Sequence, residues 1–202
     1  MKLSILILTH NRPTLFTRCL TSVLKQLPTD VEIIVNNDSN DITEIVHPQV
    51  TYHYNKFDSL CAIYQFLLFQ ANGEYVYYLE DDDYLVDGFF EVPLNADMIV
   101  GNYCPTYGPN NLLEYLTIYT DDTLTPTQWA DKLNFRHLQL SQHIFRRDTI
   151  LDFEFKMDSD VHNDARLALH AAKNSKVIKS IKKTLFYQTT DGGDNISFPH
   201  TR

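Results

Sequence analysis

Four consecutive carboxylates, Glu80-Asp81-Asp82-Asp83, follow directly on the apolar run Tyr75-Val76-Tyr77-Tyr78-Leu79, and few folds accommodate such a junction. Gly73 just ahead suits the stop of a preceding helix, and Tyr75 to Leu79 reads as a short buried strand. The strand therefore carries a knot of acids to its C-terminal end. Four negative side chains in a row repel one another. Two arrangements relieve the repulsion. One is a solvated acidic turn, as most charge runs are. The other is a bound Mg²⁺ or Mn²⁺, which takes oxygen ligands and shares them with substrate phosphates.

The flanking chain reads as alternating strands and helices. Leu3 to Leu8 is a continuous aliphatic run, expected for a strand buried on both faces of a parallel sheet. Thr9-His10-Asn11-Arg12-Pro13 breaks it, with Asn11 as a helix cap and Pro13 in the first turn. Phe16, Cys19, Leu20, Val23, Leu24 and Leu27 then recur at helical spacing up to Pro28. Val31 to Val35 is a second buried strand, closed by the polar run Asn36 to Asp41. This strand–helix–strand opening predicts a doubly wound α/β sheet with ligands at the carboxyl ends of its strands.

Further on, Val50 to Tyr54 reads as a strand and Leu60 to Gln70 as an apolar helix. Ala96 to Val100 is a strand, followed by a turn-rich segment with Pro105, Gly108 and Pro109. A short helix starts at Thr125-Pro126, Leu138 to Arg146 reads as strand or loop, and Val161 to Lys173 is an amphipathic helix. Val177 to Tyr187 alternates as one strand or two, and Thr190 to Asn195 is a turn. No repeat or linker divides the 202 residues, so one domain is expected.

Composition excludes several classes. A hydrophobic content of 44% fits a packed globule rather than a disordered chain. A formal net charge of −9 disfavours broad nucleic-acid binding, although Lys179, Lys182 and Lys183 cluster locally. Cys19, Cys61 and Cys104 are widely spaced and odd in number, which fits a reducing compartment rather than a disulfide framework or zinc site. With no signal peptide and no membrane-length apolar run, a soluble cytoplasmic protein is expected.

Three strand ends thus carry polar clusters on one rim: Thr9–Arg12, Asn36–Asp41 and Glu80–Asp83. Neither a Gly-x-Gly-x-x-Gly nor a Gly-Lys-Ser/Thr loop is present to hold phosphates. In order and spacing these pieces resemble the family 2 glycosyltransferases of the GT-A fold. Leu3–Pro13 with Arg18–Gln26 looks like that family's first strand and helix, and Glu32–Ser39 like its nucleoside-binding turn. Gly73–Asp83 looks like its Asp-x-Asp strand. Asn163-Asp164, Lys176–Ile178 and Leu185–Tyr187 look like its C-terminal segment. The resemblance is strong over residues 3–100 and looser over 158–197.

The resemblance implies a single Rossmann-like GT-A domain with a mostly parallel central sheet flanked by helices. Residues 1–100 would bind a nucleotide sugar, and residues 101–202 the acceptor. Thr9, Asn11 and Arg12 would border the nucleoside and pyrophosphate, and Asn36 or Asp38 the base or ribose. Glu80 and Asp81 would lie against ribose and sugar, Asp82 would ligate Mn²⁺ or Mg²⁺, and Asp164 would be the catalytic base of an inverting transfer. Asn36 and Asn37 replace the family's usual aspartates, so the favoured UDP-sugar donor is less firmly specified. Glu80 replaces another, lengthening that side chain by one methylene. Asp158 and Asp160 compete with Asp164 for the base, and a first-turn acid also simply complements a helix dipole.

The reaction explains these residue types. A metal steadies the departing diphosphate, and a carboxylate takes the proton of the attacking hydroxyl. A saccharide acceptor is expected, with a modified DNA base or base-linked sugar as the alternative. Nucleotidyl transfer and a non-catalytic nucleotide-binding module are the other classes. His10 is read as a hydrogen-bonding rim residue, and His143, His162 and His170 are assigned no metal. His200 is read as part of a tail rather than a further ligand. Trp129, Tyr103 and Tyr107 are candidates to wall the acceptor site or ordinary core aromatics.

Overall fold

The computed structural model describes residues 1–39, 44–106, 119–132, 139–156 and 163–189. At its centre lies β1 (Leu3–Thr9), parallel on one side to β2 (Val31–Asn37) and on the other to β4 (Tyr75–Glu80). β3 (Val50–His53) adds in parallel beyond β2. The aliphatic runs follow from burial on both faces. Ile5, Ile7, Ile33, Val35 and Tyr77 share a core with Phe16, Cys19, Leu20 and Val23 of α1 (Pro13–Leu24). Leu6, Ile34, Val76 and Tyr78 meet Ile63, Leu67 and Leu68 of α2 (Leu60–Gln70) and Leu167, Ala168 and Ala171 of α4 (Asn163–Asn174). Each large side chain buried this way contributes roughly 1.5–3 kcal/mol.

Beyond β4 the sheet becomes mixed. The strand order is β3-β2-β1-β4-β8-β6-β9-β5, where β5 is Tyr84–Leu85, β6 Met98–Thr106, β8 His143–Arg146 and β9 Ile178–Thr189. β8 runs antiparallel between β4 and β6, and β9 lies parallel to β6. β7 (Asp122–Leu124) also pairs with β9, and α3 (Pro126–Lys132) follows it. β6 runs past the expected end at Val100 and takes in Pro105. It does so across a bulge around Asn102, whose amide donates to Tyr119 O and Lys182 O at 2.9 Å. That side chain satisfies backbone groups the bulge leaves unpaired. Val177–Tyr187 resolves into the single strand β9.

Two local expectations are corrected. Asn11 is not the cap of α1: the N-cap position falls on Arg12, without a side-chain cap bond, and Asn11 takes a left-handed φ of 52°. Asparagine tolerates that conformation, and Pro13 at the first helical position has no N–H needing a cap. Gly73 does not stop a helix either, since α2 ends at Gln70. A Cβ on Gly73 would stand 2.6 Å from the Ser4 backbone nitrogen, so the residue permits close approach of β4 to β1.

His143 is fully buried in the mixed half, with Nδ1 3.1 Å from Gln139 O, and burial lowers its pKa to about 4. The unfolded chain takes up a proton near pH 6.5 and the folded chain does not, so stability falls as pH drops from about 6.5 towards 4. The effect is on the order of 3 kcal/mol. A His143→Leu variant should show a flatter decline of unfolding free energy over that window in pH-dependent urea titrations.

Candidate functional site

The parallel register sets three strand ends level. Leu8 of β1 is opposite both Asn36 of β2 and Glu80 of β4, and Thr9 is opposite Asn37. The polar residues after each strand therefore emerge along one rim. The Asp38 N–H donates to Thr9 O at 3.3 Å, and Ser39 Oγ accepts from the Asn11 N–H at 3.1 Å, joining the first two turns. His10 Nδ1 pairs with the Asp38 carboxylate, which makes His10 the hydrogen-bonding rim residue expected.

Arg12 joins the first turn to the acids. Its guanidinium Nη1 lies 3.1 Å from Asp81 Oδ1 and 2.8 Å from Asp82 Oδ2, with little of any of the three side chains exposed. Burial pushes the Asp81 carboxyl up to about 6 and Asp82 adds to it, while Thr9 and Arg12 pull it back. Asp83 is buried and raised well above the carboxylate range by burial, with Asp82 and Glu80 acting the same way. Its Oδ1 accepts the Thr189 N–H at 3.1 Å. Arg18 bonds both the Asp82 carbonyl and Thr189 Oγ1 at 2.5 Å, so the acid turn is pinned between α1 and the end of β9. The sequence pattern did not single out Arg18 or Asp83 for this work, because Arg18 looked like an isolated helix charge and Asp83 like one more acid in a run.

Glu80 leaves β4 on the other face, exposed beside α2, where the Tyr64 hydroxyl donates to its Oε1 at 3.2 Å. Crowding by protein atoms raises the Glu80 carboxyl to about 8, and Asp164, Asp82 and Asp81 act in the same direction. Its open side admits water, which tempers the crowding and leaves the like-charge neighbours as the firmer cause. Asp164 stands in the first turn of α4, within electrostatic reach of Glu80 and Tyr64. The structure thus gathers Thr9, Asn11, Arg12, Asn36, Asp38, Glu80, Asp81, Asp82 and Asp164 at one edge of the sheet. Asp158, Asp160, Tyr107, His162 and His200 lie outside the described residues. Trp129 and Tyr103 are buried in the core and cannot wall an acceptor site.

Several buried polar atoms on this rim are unsatisfied. Asn36 Oδ1 and Asn37 Nδ2 have no hydrogen-bond partner among the described residues, and Thr9 Oγ1 and Asp81 Oδ2 make no well-formed hydrogen bond although the hydroxyl lies close enough to lower the Asp81 pKa. Native interiors rarely strand such groups, and a cluster of them marks a place where water, an ion or a polar ligand completes the bonding. No three His, Cys, Asp or Glu side chains among the described residues converge as a metal set. The donor chemistry that is present, the Asp82 carboxylate with Asp81 Oδ2 nearby, fits a hard cation held by one or two carboxylates and completed by phosphate oxygens.

Residues 4–96 match the sequence profile described as glycosyl transferase family 2. Over these residues, just under half of the chain, the sequence is similar to that family. The chain is also 26% identical over 215 aligned residues to the uncharacterized glycosyltransferase YwdF of Bacillus subtilis, covering 98% of this chain and 78% of that protein. Among solved structures it resembles S. aureus TarS, with a TM-score of 0.71 and 20% identity over 94% of this chain. TarS 1–349 in complex with UDP-GlcNAc superposes with a TM-score of 0.69, again at 20% identity. These likenesses establish a GT-A fold. The chain spans 37% of the longer TarS chain and 60% of the shorter one. Among the described residues no helix is long and apolar enough to cross a membrane.

Proposed function

We propose that this protein transfers a sugar from a UDP-sugar to a saccharide hydroxyl with inversion at the anomeric carbon. The observation that carries the reading is the level rim of unsatisfied polar atoms, Thr9, Asn36, Asn37 and Asp81, closed by Arg12 and the acid turn. A nucleoside diphosphate supplies donors and acceptors for such atoms, and the TarS complexes with UDP and UDP-GlcNAc support uridine as the base. Asn36 and Asn37, together with Asp38, would meet the nucleoside, and Thr9 and Arg12 the diphosphate.

In the reaction, the acceptor oxygen attacks the anomeric carbon as the bond from that carbon to the phosphate oxygen breaks. The acceptor proton passes to the Asp164 carboxylate, and the electron pair leaves with UDP. A Mn²⁺ or Mg²⁺ held by Asp82 and the diphosphate would neutralise the leaving charge. Glu80 lies between this donor side and Asp164. A saccharide suits the acceptor better than DNA, because Lys179 and Lys183 of the basic cluster are engaged by Asn95 and Glu91. The three cysteines are buried and free, which supports a cytoplasmic setting.

Thermal unfolding with Mn²⁺ against a panel of nucleoside diphosphates and UDP-sugars tests the donor. A ligand at 100 times its Kd adds about 2.7 kcal/mol, a readily measured shift in midpoint. A metal-dependent shift with uridine nucleotides is the expected result. A flat response across the whole panel would overturn the reading.

A further inference from the structure

Glu80 is one methylene longer than the aspartate usual at its position in the resemblance described above, and a longer side chain has one more torsion to fix. The structure supplies a restraint from α2. The Tyr64 hydroxyl donates to Glu80 Oε1 at 3.2 Å. The Tyr64 ring is itself held: it meets Tyr78 edge-on with centroids 5.6 Å apart and lies tilted against Phe155 at 5.6 Å. The Tyr78 hydroxyl in turn donates to the Tyr64 carbonyl at 3.3 Å. Tyr64 is half-buried, with its hydroxyl directed to a carboxylate at the solvent edge. The core tyrosines Tyr77 and Tyr78 give their hydroxyls to backbone carbonyls, whereas Tyr64 gives its hydroxyl to a side-chain carboxylate. An exposed glutamate loses substantial rotamer freedom when fixed, and a partner already held by packing lowers that cost at the moment of reaction.

We propose that Tyr64 is a positioning residue for sugar transfer, its hydroxyl holding the long Glu80 side chain between the bound sugar and Asp164. The proposal rests on the donor reading above. Tyr64 and Glu80 then act as a matched pair, in which the hydroxyl restrains the extra methylene. An aspartate at position 80 would be too short to reach that hydroxyl and would not need it.

The test is a double-mutant cycle read as UDP release from a UDP-sugar panel with Mn²⁺. Tyr64→Phe keeps the ring and its packing and removes only the hydroxyl. It should lower kcat about tenfold, the upper end of the loss expected for one hydrogen bond. KM for the donor and the unfolding midpoint should stay at their wild-type values. In a Glu80→Asp background the same Tyr64→Phe change should have no effect on kcat. A purely structural tyrosine would cost the same in both backgrounds, and that result overturns the proposal. So does a wild-type rate for Tyr64→Phe alone, or a Glu80→Asp enzyme with no measurable rate. If wild-type protein releases no UDP from any donor in the panel, the donor reading fails and takes this one with it. Wild-type release with an indifferent Tyr64→Phe overturns only the role of Tyr64.

Discussion

Replacing Asp164 with asparagine should lower the rate of sugar transfer by about 100- to 10,000-fold, the usual worth of a positioned general base. Asparagine matches aspartate in size and cannot accept the acceptor's proton at neutral pH. Donor binding should survive, because the residues proposed to meet UDP lie on the ends of β1, β2 and β4 rather than on α4. The UDP-dependent thermal shift of Asp164→Asn is therefore expected to match wild type while turnover collapses. The competing role for this carboxylate is to complement the dipole at the start of α4. Loss of that role costs about 0.3–1 kcal/mol of stability and would leave turnover intact. The two roles thus predict opposite patterns in the same pair of measurements. A variant that turns over at more than half the wild-type rate would move the base elsewhere, and Asp158→Asn and Asp160→Asn would then be assayed alongside it.

The parallel half of the fold was legible because its strands are buried on both faces. Leu3 to Leu8 and Val31 to Val35 can be little else than central strands, and the apolar spacing of Phe16, Cys19, Leu20 and Val23 gives the helix between them. Once those strands are parallel, their ends must lie level, so the rim of Thr9, Asn36 and Glu80 follows from the pattern alone. The mixed half was harder to read. β6 continues through a bulge that Asn102 stabilises by bonds to residues far along the chain, and no local signal announces such partners. The aromatics illustrate the same limit. Trp129 and Tyr103 were candidates for the site because aromatics stack on sugars, yet tertiary packing places both in the core. Tyr64 looked like one more apolar residue of α2, and only the fold reveals that its hydroxyl meets Glu80. Arg12 was visible as a rim cation, but its simultaneous grip on Asp81 and Asp82 depends on the turn made by Asn11 in its left-handed conformation.

That grip makes Arg12→Met the substitution with the largest expected effect on stability. The Arg12 and Asp81 side chains are 9% and 8% exposed, so removing the guanidinium leaves a carboxylate desolvated and without its countercharge. Breaking a buried pair from one side costs about 3–5 kcal/mol. For a chain of this size that lowers the unfolding midpoint by about 10 °C, measurable by calorimetry. The loss should depend on pH with a definite sign. Asp81 already titrates near 6 in the folded protein, above its usual value, and Arg12 is one of the groups holding it down. Without Arg12 the folded state binds that proton still more tightly than the unfolded chain does. The variant is therefore weakest above pH 7 and recovers towards wild type as pH falls through about 6, where protonation removes the uncompensated charge. A pH-independent loss would mean that Arg12 stabilises by packing rather than by charge. Repeating the measurement with Mn²⁺ separates the two possible sources of compensation for the acid turn. Recovery of the variant at neutral pH on adding the metal would assign Asp82 as a ligand that works without a nucleotide. No recovery would mean that Arg12 alone neutralises the turn until a diphosphate arrives to complete the site.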